Sequence, residues 1–305
     1  MSKIPPYLKK GDTIGIVAPA GFMPFERMQA CIETLDAWGY TVRLGATTHS
    51  HSSNYFSGSD DERLHDLQQM MDEPEIKAVL CARGGYGLSR IIDRISFKKF
   101  RKHPKWIIGF SDITLLHAHI YAKYKIACLH APMAGAFNEG EFNNPYLTSF
   151  RDTLEGKPAH YKTPVHPLNH TGQVKAQIVG GNLSLLEHLM GTESEIRTKD
   201  RILFLEDVGE YLYNIDRMMV QLKRSGKLDH LGGLIIGGFT DTKDTERPFG
   251  KTAYDIIYEH VSEYKYPVCF GFPVSHEKEN YALKIGAKYH LQVREDGVAL
   301  IDHFV

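Results

Sequence analysis

The sequence predicts an α/β protein: a parallel sheet covered by helices in its first half, followed by a mixed α+β half. Three observations carry this. From residue 12 to about 121, short apolar runs alternate with stretches of helical spacing, the pattern of a parallel sheet with helices on both faces. The tract 155–173 breaks the alternation, with three prolines, three histidines and no helical period. Beyond it, strands and helices recur in less regular order and the chain closes on a hairpin pattern. The 305 residues are enough for about two domains of ~150 residues. The expected division is an N-terminal α/β domain over 1–155, a linker over 156–173 and a C-terminal domain over 174–305.

Taken in order, "DTIGIVAPAG" (12–21) reads as a buried strand ending in a turn. Residues 24–39 have helical spacing, with Met28, Cys31, Ile32, Leu35 and Trp38 on one face. "YTVRLG" (40–45) is the next strand and 60–71 a polar helix with spaced apolar residues. "IKAVLCARGG" (76–85) is a strand running into glycines, with a helix expected after it to about Ile95. "KWIIGFSDITLLHAHIY" (105–121) is a strand that turns at once into a helix. In the second half, strands are expected at 175–182, 201–210 (ending in acids), 231–241 and 267–277 (running into a loop), and helices at 183–191, 213–226 and 253–263. "HLQVREDGVALID" (290–302) is a hairpin with an Asp-Gly turn signal.

Composition excludes several classes. Formal charge is −1, from 36 basic and 37 acidic residues, so the clustered positive charge needed for nucleic acid or a membrane surface is missing. No apolar run approaches the ~20 residues that span a bilayer. The first dozen residues are polar and lack an apolar signal core, so a cytoplasmic location is expected. Cys31, Cys81, Cys128 and Cys269 are scattered without a CxxC pair, which suits a reducing compartment and argues against structural zinc. His117 and His119 lie two apart on an expected helix, about 200° apart around its axis, so they do not make a metal pair.

Parallel sheets bind ligands beyond the carboxyl ends of their strands. The turns at 19–21, 84–87 and Ser111 all fall at such ends. A serine on a strand-to-helix elbow exposes its hydroxyl beside the first helical N–H groups. That suits acyl transfer, with the N–H of Asp112 binding the oxyanion; Ser111 or Asp112 as a plain helix cap fits the same residues. The usual second glycine of such an elbow is replaced by Ile113. Gly84 and Gly85 stand in a glycine cluster without the spacing of a phosphate loop, since position 90 is arginine. Gly85 is a candidate second oxyanion donor, or the cluster is a structural turn. Glu206 and Asp207 end a strand on opposite faces, so one of them can orient an imidazole, or both are solvated acids. Among 16 histidines, His276 has the setting of a catalytic base: a loop just after a strand. His160, His166 and His170 lack an acidic neighbour in sequence.

The chain resembles the LD-carboxypeptidase family, serine peptidases that include murein tetrapeptide carboxypeptidases and microcin C immunity hydrolases. The resemblance runs over nearly the whole length and is carried by "GDTIGIVAPAG", "ARGGYGLSRIID", "IIGFSDITLLH", "GGNLSLL", "LFLEDVGEYLYNIDRMM" and "GFPVSH". It implies a catalytic triad of Ser111, Glu206 and His276, with the backbone of Asp112 and Gly85 as the oxyanion hole. Gly84, Asn182, Glu210, Tyr213 and Arg217 flank the matched motifs and are candidate substrate contacts; for Arg217 a helix-surface ion pair competes with that role. The implied fold is a Rossmann-like α/β domain and a C-terminal α+β domain built around a small β-barrel, with the site between them. The implied activity is hydrolysis of the bond between the L-centre of a diamino acid and a terminal D-alanine in a murein tetrapeptide, in cell-wall recycling. No metal or cofactor is implied, and a homodimer is expected. The alternatives are an immunity hydrolase acting on a peptidyl or aminoacyl nucleotide, for which no inserted aromatic loop is evident, and a non-catalytic binding module. Two positions depart from the family pattern: Ser275 stands where glycine is usual, and Lys284 where proline is common.

Overall fold

The computed structural model describes residues 2–139 and 144–302. Along the chain the strands and α-helices are β1 (Thr13–Val17), α1 (Gln29–Ala37), β2 (Thr41–Leu44), α2 (Asp60–Asp72), β3 (Ile76–Cys81), α3 (Lys98–Lys102), β4 (Trp106–Gly109), α4 (Ile113–Tyr124), β5 (Cys128–His130) and α5 (Pro145–Leu154). Then follow β6 (His160–Thr163), β7 (Gly172–Asn182), α6 (Leu183–His188), β8 (Arg201–Val208), α7 (Leu212–Arg224), β9 (Gly233–Thr240), α8 (Ala253–Val261), β10 (Val268–Phe270), β11 (Leu283–Ile285), β12 (Lys288–Arg294) and β13 (Gly297–Asp302). The chain divides into two compact units. The first holds Met1–Lys157 and Tyr281–Lys284; the second holds Pro158–Asn280 and Ile285–Val305.

In the first unit a six-stranded sheet has the order β11-β5-β4-β3-β1-β2. The pairings of β2 with β1, β1 with β3, β3 with β4 and β4 with β5 are all parallel. β4 and β5 are buried at every residue and β1 at all but its first. Continuous burial of this kind is what helices on both faces impose. α4 is buried from Ile113 through Tyr121, so it runs through the interior rather than along the surface. His117 and His119 are therefore core residues. His117 lies 3.1 Å from the carbonyl of Ile107, and burial, with His130 nearby, drops its pKa to about 3. His119 stacks on Phe97. α2 starts at a capping box, Ser59 accepting from the Glu62 N–H while Glu62 accepts from the Ser59 N–H, a device that contributes about 1 kcal/mol.

The second unit holds a seven-stranded mixed sheet, β10-β9-β8-β7-β12-β13-β6. β7 is shared between two halves of it. Residues 172–177 pair antiparallel with β12, and 177–182 pair parallel with β8. Burial follows the pairing: β12 and β13 alternate along their length, whereas β8 is buried continuously over its middle six residues. The β12–β13 hairpin closes at the Arg294–Gly297 pair, so Glu295 and Asp296 form its tip.

Three details differ from the sequence expectation. The tract 156–173, expected as a linker, contains β6, antiparallel to β13, and His170 bridges to Val268; its prolines and histidines hide a short edge strand with alternating burial. The helix expected before Ile95 is two 3-10 turns, Leu88–Arg90 and Ile92–Arg94. The C-terminal half is also not continuous in space, because Tyr281–Lys284 belongs to the first unit. There the Ala282 N–H donates to Ser149 and the buried Lys284 ammonium donates to the Tyr7 hydroxyl. Among the described residues no helix is long and apolar enough to cross a membrane.

Candidate active site

β4 ends in a turn too tight for side chains. A Cβ on Gly109 would lie 2.8 Å from Ile113 Cγ1. Two residues on, Ser111 adopts φ +63°, a left-handed conformation that costs a non-glycine residue roughly 1–2 kcal/mol. Such strain persists where the surroundings fix it, often at functional sites. Asp112 then begins the helical turn. Its side chain does not cap α4; the buried carboxylate instead accepts the N–H of Leu88 at 2.9 Å. The cap reading of Asp112 thereby gives way to a tie between the elbow and the glycine cluster.

That cluster closes over the serine. A Cβ on Gly84 would lie 2.7 Å from Ser111 Cβ, 3.0 Å from Ser111 Oγ and 3.2 Å from the Asp112 nitrogen, so only glycine lets the backbone come this near. Gly85 has φ +94°. From behind, the Gly84 carbonyl accepts from the Gly21 N–H at 3.0 Å. The first unit thus gathers Ser111, Asp112, Gly84 and Gly85, with the turn after β1 as backing.

The second unit gathers Glu206 and His276. Both acids at the end of β8 are buried, and strand alternation sends them opposite ways. Glu206 Oε2 lies 2.6 Å from His276 Nδ1. Asp207 turns to Asn182 Nδ2 at 2.8 Å and to the N–H groups of Ser184 and Val208, each at 2.9 Å. Burial alone would lower the pKa of His276, but the Glu206 charge and hydrogen bond, with Asp207 behind them, hold it above the ordinary histidine value. Burial, and then Glu206, push Asp207 up to about 6, against the pull of its N–H donors.

The loop bearing His276 is fixed by its neighbours. Ser275 Oγ donates to the Glu279 carbonyl and accepts from the Glu277 N–H, both at 3.0 Å. Ser275 therefore shapes the loop of the imidazole. Gly237 and Gly238 in β9 make room for it: a Cβ on either would lie within 2.5 Å of Val274 or Ser275. Sequence reasoning passed over this pair, although "IIGGF" inside a strand is itself a sign of close backbone approach.

The other candidates are largely engaged locally. Asn182 caps α6 and binds Asp207. Glu210 accepts from Asn214. Arg217 donates to Asn214 at 2.7 Å and lies over the Tyr213 ring, a local helix contact in place of the ion pair considered from sequence. Tyr213 stacks on Tyr211, and both are exposed. Arg63, fully buried behind the glycine cluster, was not legible as part of the site.

Chemically, the second unit offers an imidazole oriented and charge-balanced by a carboxylate, and the first a hydroxyl beside backbone donors at a helix start. Comparison with known proteins places the chain in a family. Residues 14–131 match the LD-carboxypeptidase N-terminal domain and 175–291 the LD-carboxypeptidase C-terminal domain. A Bacillus subtilis (strain 168) protein named "Probable murein peptide carboxypeptidase" is 36% identical over 295 residues, covering 95% of this chain and 92% of that protein. The crystal structure of a muramoyltetrapeptide carboxypeptidase from Oxalobacter formigenes superposes with a TM-score of 0.86 at 28% identity, covering 96% of this chain and 99% of that one. A microcin self-immunity protein solved with aspartyl sulfamoyl adenosine shares the fold, with a TM-score of 0.87 at 22% identity over 99% of each chain. The chain belongs to the LD-carboxypeptidase family of peptidases.

Proposed function

We propose that this chain is a serine carboxypeptidase that removes the terminal D-alanine from murein tetrapeptides, cutting the bond after the L-centre of the diamino acid. The observation that carries it is the strained Ser111 elbow under the Gly84 backbone; the His276–Glu206 pair supplies the matching base. The names of the Bacillus and Oxalobacter relatives support the substrate.

In this mechanism Ser111, His276 and Glu206 act as a triad. With Nδ1 bonded to Glu206, the imidazole uses Nε2 to take the Ser111 proton as the oxygen attacks the carbonyl. The oxyanion rests on the N–H groups of Asp112 and Gly85, each such donor being worth roughly 10²–10³ in rate. Collapse breaks the C–N bond; His276 returns the proton to the leaving nitrogen and D-alanine departs. Water, deprotonated by His276, then hydrolyses the acyl ester and restores the hydroxyl. The barrel expected for the second half belongs to this proposal too: the His170–Val268 bridge ties the segment after β6 to edge strand β10, the contact that closure would need.

The test is to incubate the protein separately with murein tetrapeptide and with an aminoacyl sulfamoyl adenylate, and to read the products by mass. Tripeptide and D-alanine from the first support the proposal. Cleavage of the adenylate alone transfers the assignment to an immunity-type hydrolase, and no product from either leaves a binding module.

A further inference from the structure

We infer that Arg63 is a positioning residue that sets the oxyanion side of the Ser111 elbow. Arg63 sits on α2, and its guanidinium is fully buried. One nitrogen, Nη1, donates to the carbonyl of Pro19 at 2.6 Å and to the carbonyl of Gly87 at 3.1 Å. The other, Nη2, pairs with Asp60, which Arg90 holds from outside at 2.8 Å. Phe56 lies against the guanidinium plane, 4.7 Å from ring centre to Cζ. Gly87 has no room for a side chain here, since a Cβ would lie 2.6 Å from Arg63 Nη1.

The two carbonyls belong to the two loops that meet at the elbow. Pro19 precedes Gly21, whose N–H supports the Gly84 carbonyl. The Gly87–Leu88 peptide is gripped at both ends: its oxygen by Arg63, its N–H by the Asp112 carboxylate. A cation, a peptide group and an anion thus run in line from α2 to the residue whose backbone N–H follows the nucleophile. A lysine cannot reproduce this, because a single ammonium cannot match the planar fork that holds the carbonyls and Asp60 together. The role assigned to Arg63 rests on Ser111 being the nucleophile. It acts in the transition state, where the donors must be within fractions of an ångström of the oxyanion.

The experiment compares wild type, Arg63→Lys, Asp60→Asn and Ser111→Ala on murein tetrapeptide, with kcat corrected for the folded fraction by thermal melts. The expected result is a kcat lower by roughly 10–100-fold in Arg63→Lys, a smaller loss in Asp60→Asn, and KM within about threefold of wild type in both. A purely structural arginine would reduce the folded fraction and leave kcat per folded molecule unchanged. Wild-type kcat per folded molecule in both variants, or a change confined to KM, overturns the inference provided Ser111→Ala is inactive. If Arg63→Lys does not fold, wild-type kcat in Asp60→Asn alone overturns it. An active Ser111→Ala instead removes the nucleophile assignment on which it stands.

Discussion

Gly84→Ala separates the geometry of the elbow from the stability of the fold. The new Cβ would lie 2.7 Å from Ser111 Cβ and 3.0 Å from Oγ, against an ordinary carbon–carbon contact of about 3.5–4.0 Å. Ser111 or the glycine cluster must move by roughly 1 Å, and a misplacement of that size costs on the order of 10²-fold in rate. The overpacking itself costs about 1–3 kcal/mol, which a chain of this size can absorb. Gly11→Ala is the control: Gly11 has a positive φ, +88°, and a Cβ there meets nothing within 4 Å, so it carries backbone strain without touching the elbow. Release of D-alanine from murein tetrapeptide gives kcat/KM, and a thermal melt gives the fold. The expected result is comparable melting losses in both variants and a rate loss of about 100-fold in Gly84→Ala only. A folded Gly84→Ala with wild-type kcat/KM would refute it.

Ser111→Gly should abolish turnover yet raise stability by about 1 kcal/mol, because glycine accepts φ +63° without strain; a lower melting temperature would contradict this. In Glu206→Gln the larger of the two charges that hold the His276 pKa up is gone, which leaves burial opposed by the weaker pull of Asp207. The acid limb of kcat/KM, set by the neutral imidazole, should move from above the ordinary value of ~6.5 to below it, with a lower plateau; an unmoved limb argues against the pair. The same raised pKa stabilises the fold below ~6.5 and that contribution is lost as pH rises through the folded value, so the stability gap between wild type and Glu206→Gln should narrow on the alkaline side. Asp207, pushed up to about 6, binds its proton more tightly folded than unfolded. Wild-type stability relative to Asp207→Asn should therefore fall by up to about 3 kcal/mol between pH 4 and 6, and equal slopes in denaturant titrations across that window would contradict it.

What the sequence disclosed follows from what patterns can encode. Apolar runs of β1, β3 and β4 and the "GFSD" corner are local, and local signals survive in one dimension. The pairing of Glu206 with His276 was legible through the family resemblance; alternation says that only one of Glu206 and Asp207 can face the imidazole, and not which. Arg63 was not, because "DERLHDLQQMM" reads as a polar helix face and its partners are backbone carbonyls 44 and 24 residues away. β6 and β11 were missed for another reason: four and three residues are too few to show a period, and only pairing with distant strands makes them strands. Asn182 and Arg217 were offered for substrate on motif position, which says nothing of the local hydrogen bonds they make.

In the proposed mechanism the Ser111 oxygen is the nucleophile. The most direct measurement is D-alanine release from murein tetrapeptide by Ser111→Ala, with its melting temperature taken alongside. A folded variant slowed by at least about 10³-fold is the predicted result; a folded variant turning over at the wild-type rate would contradict the account.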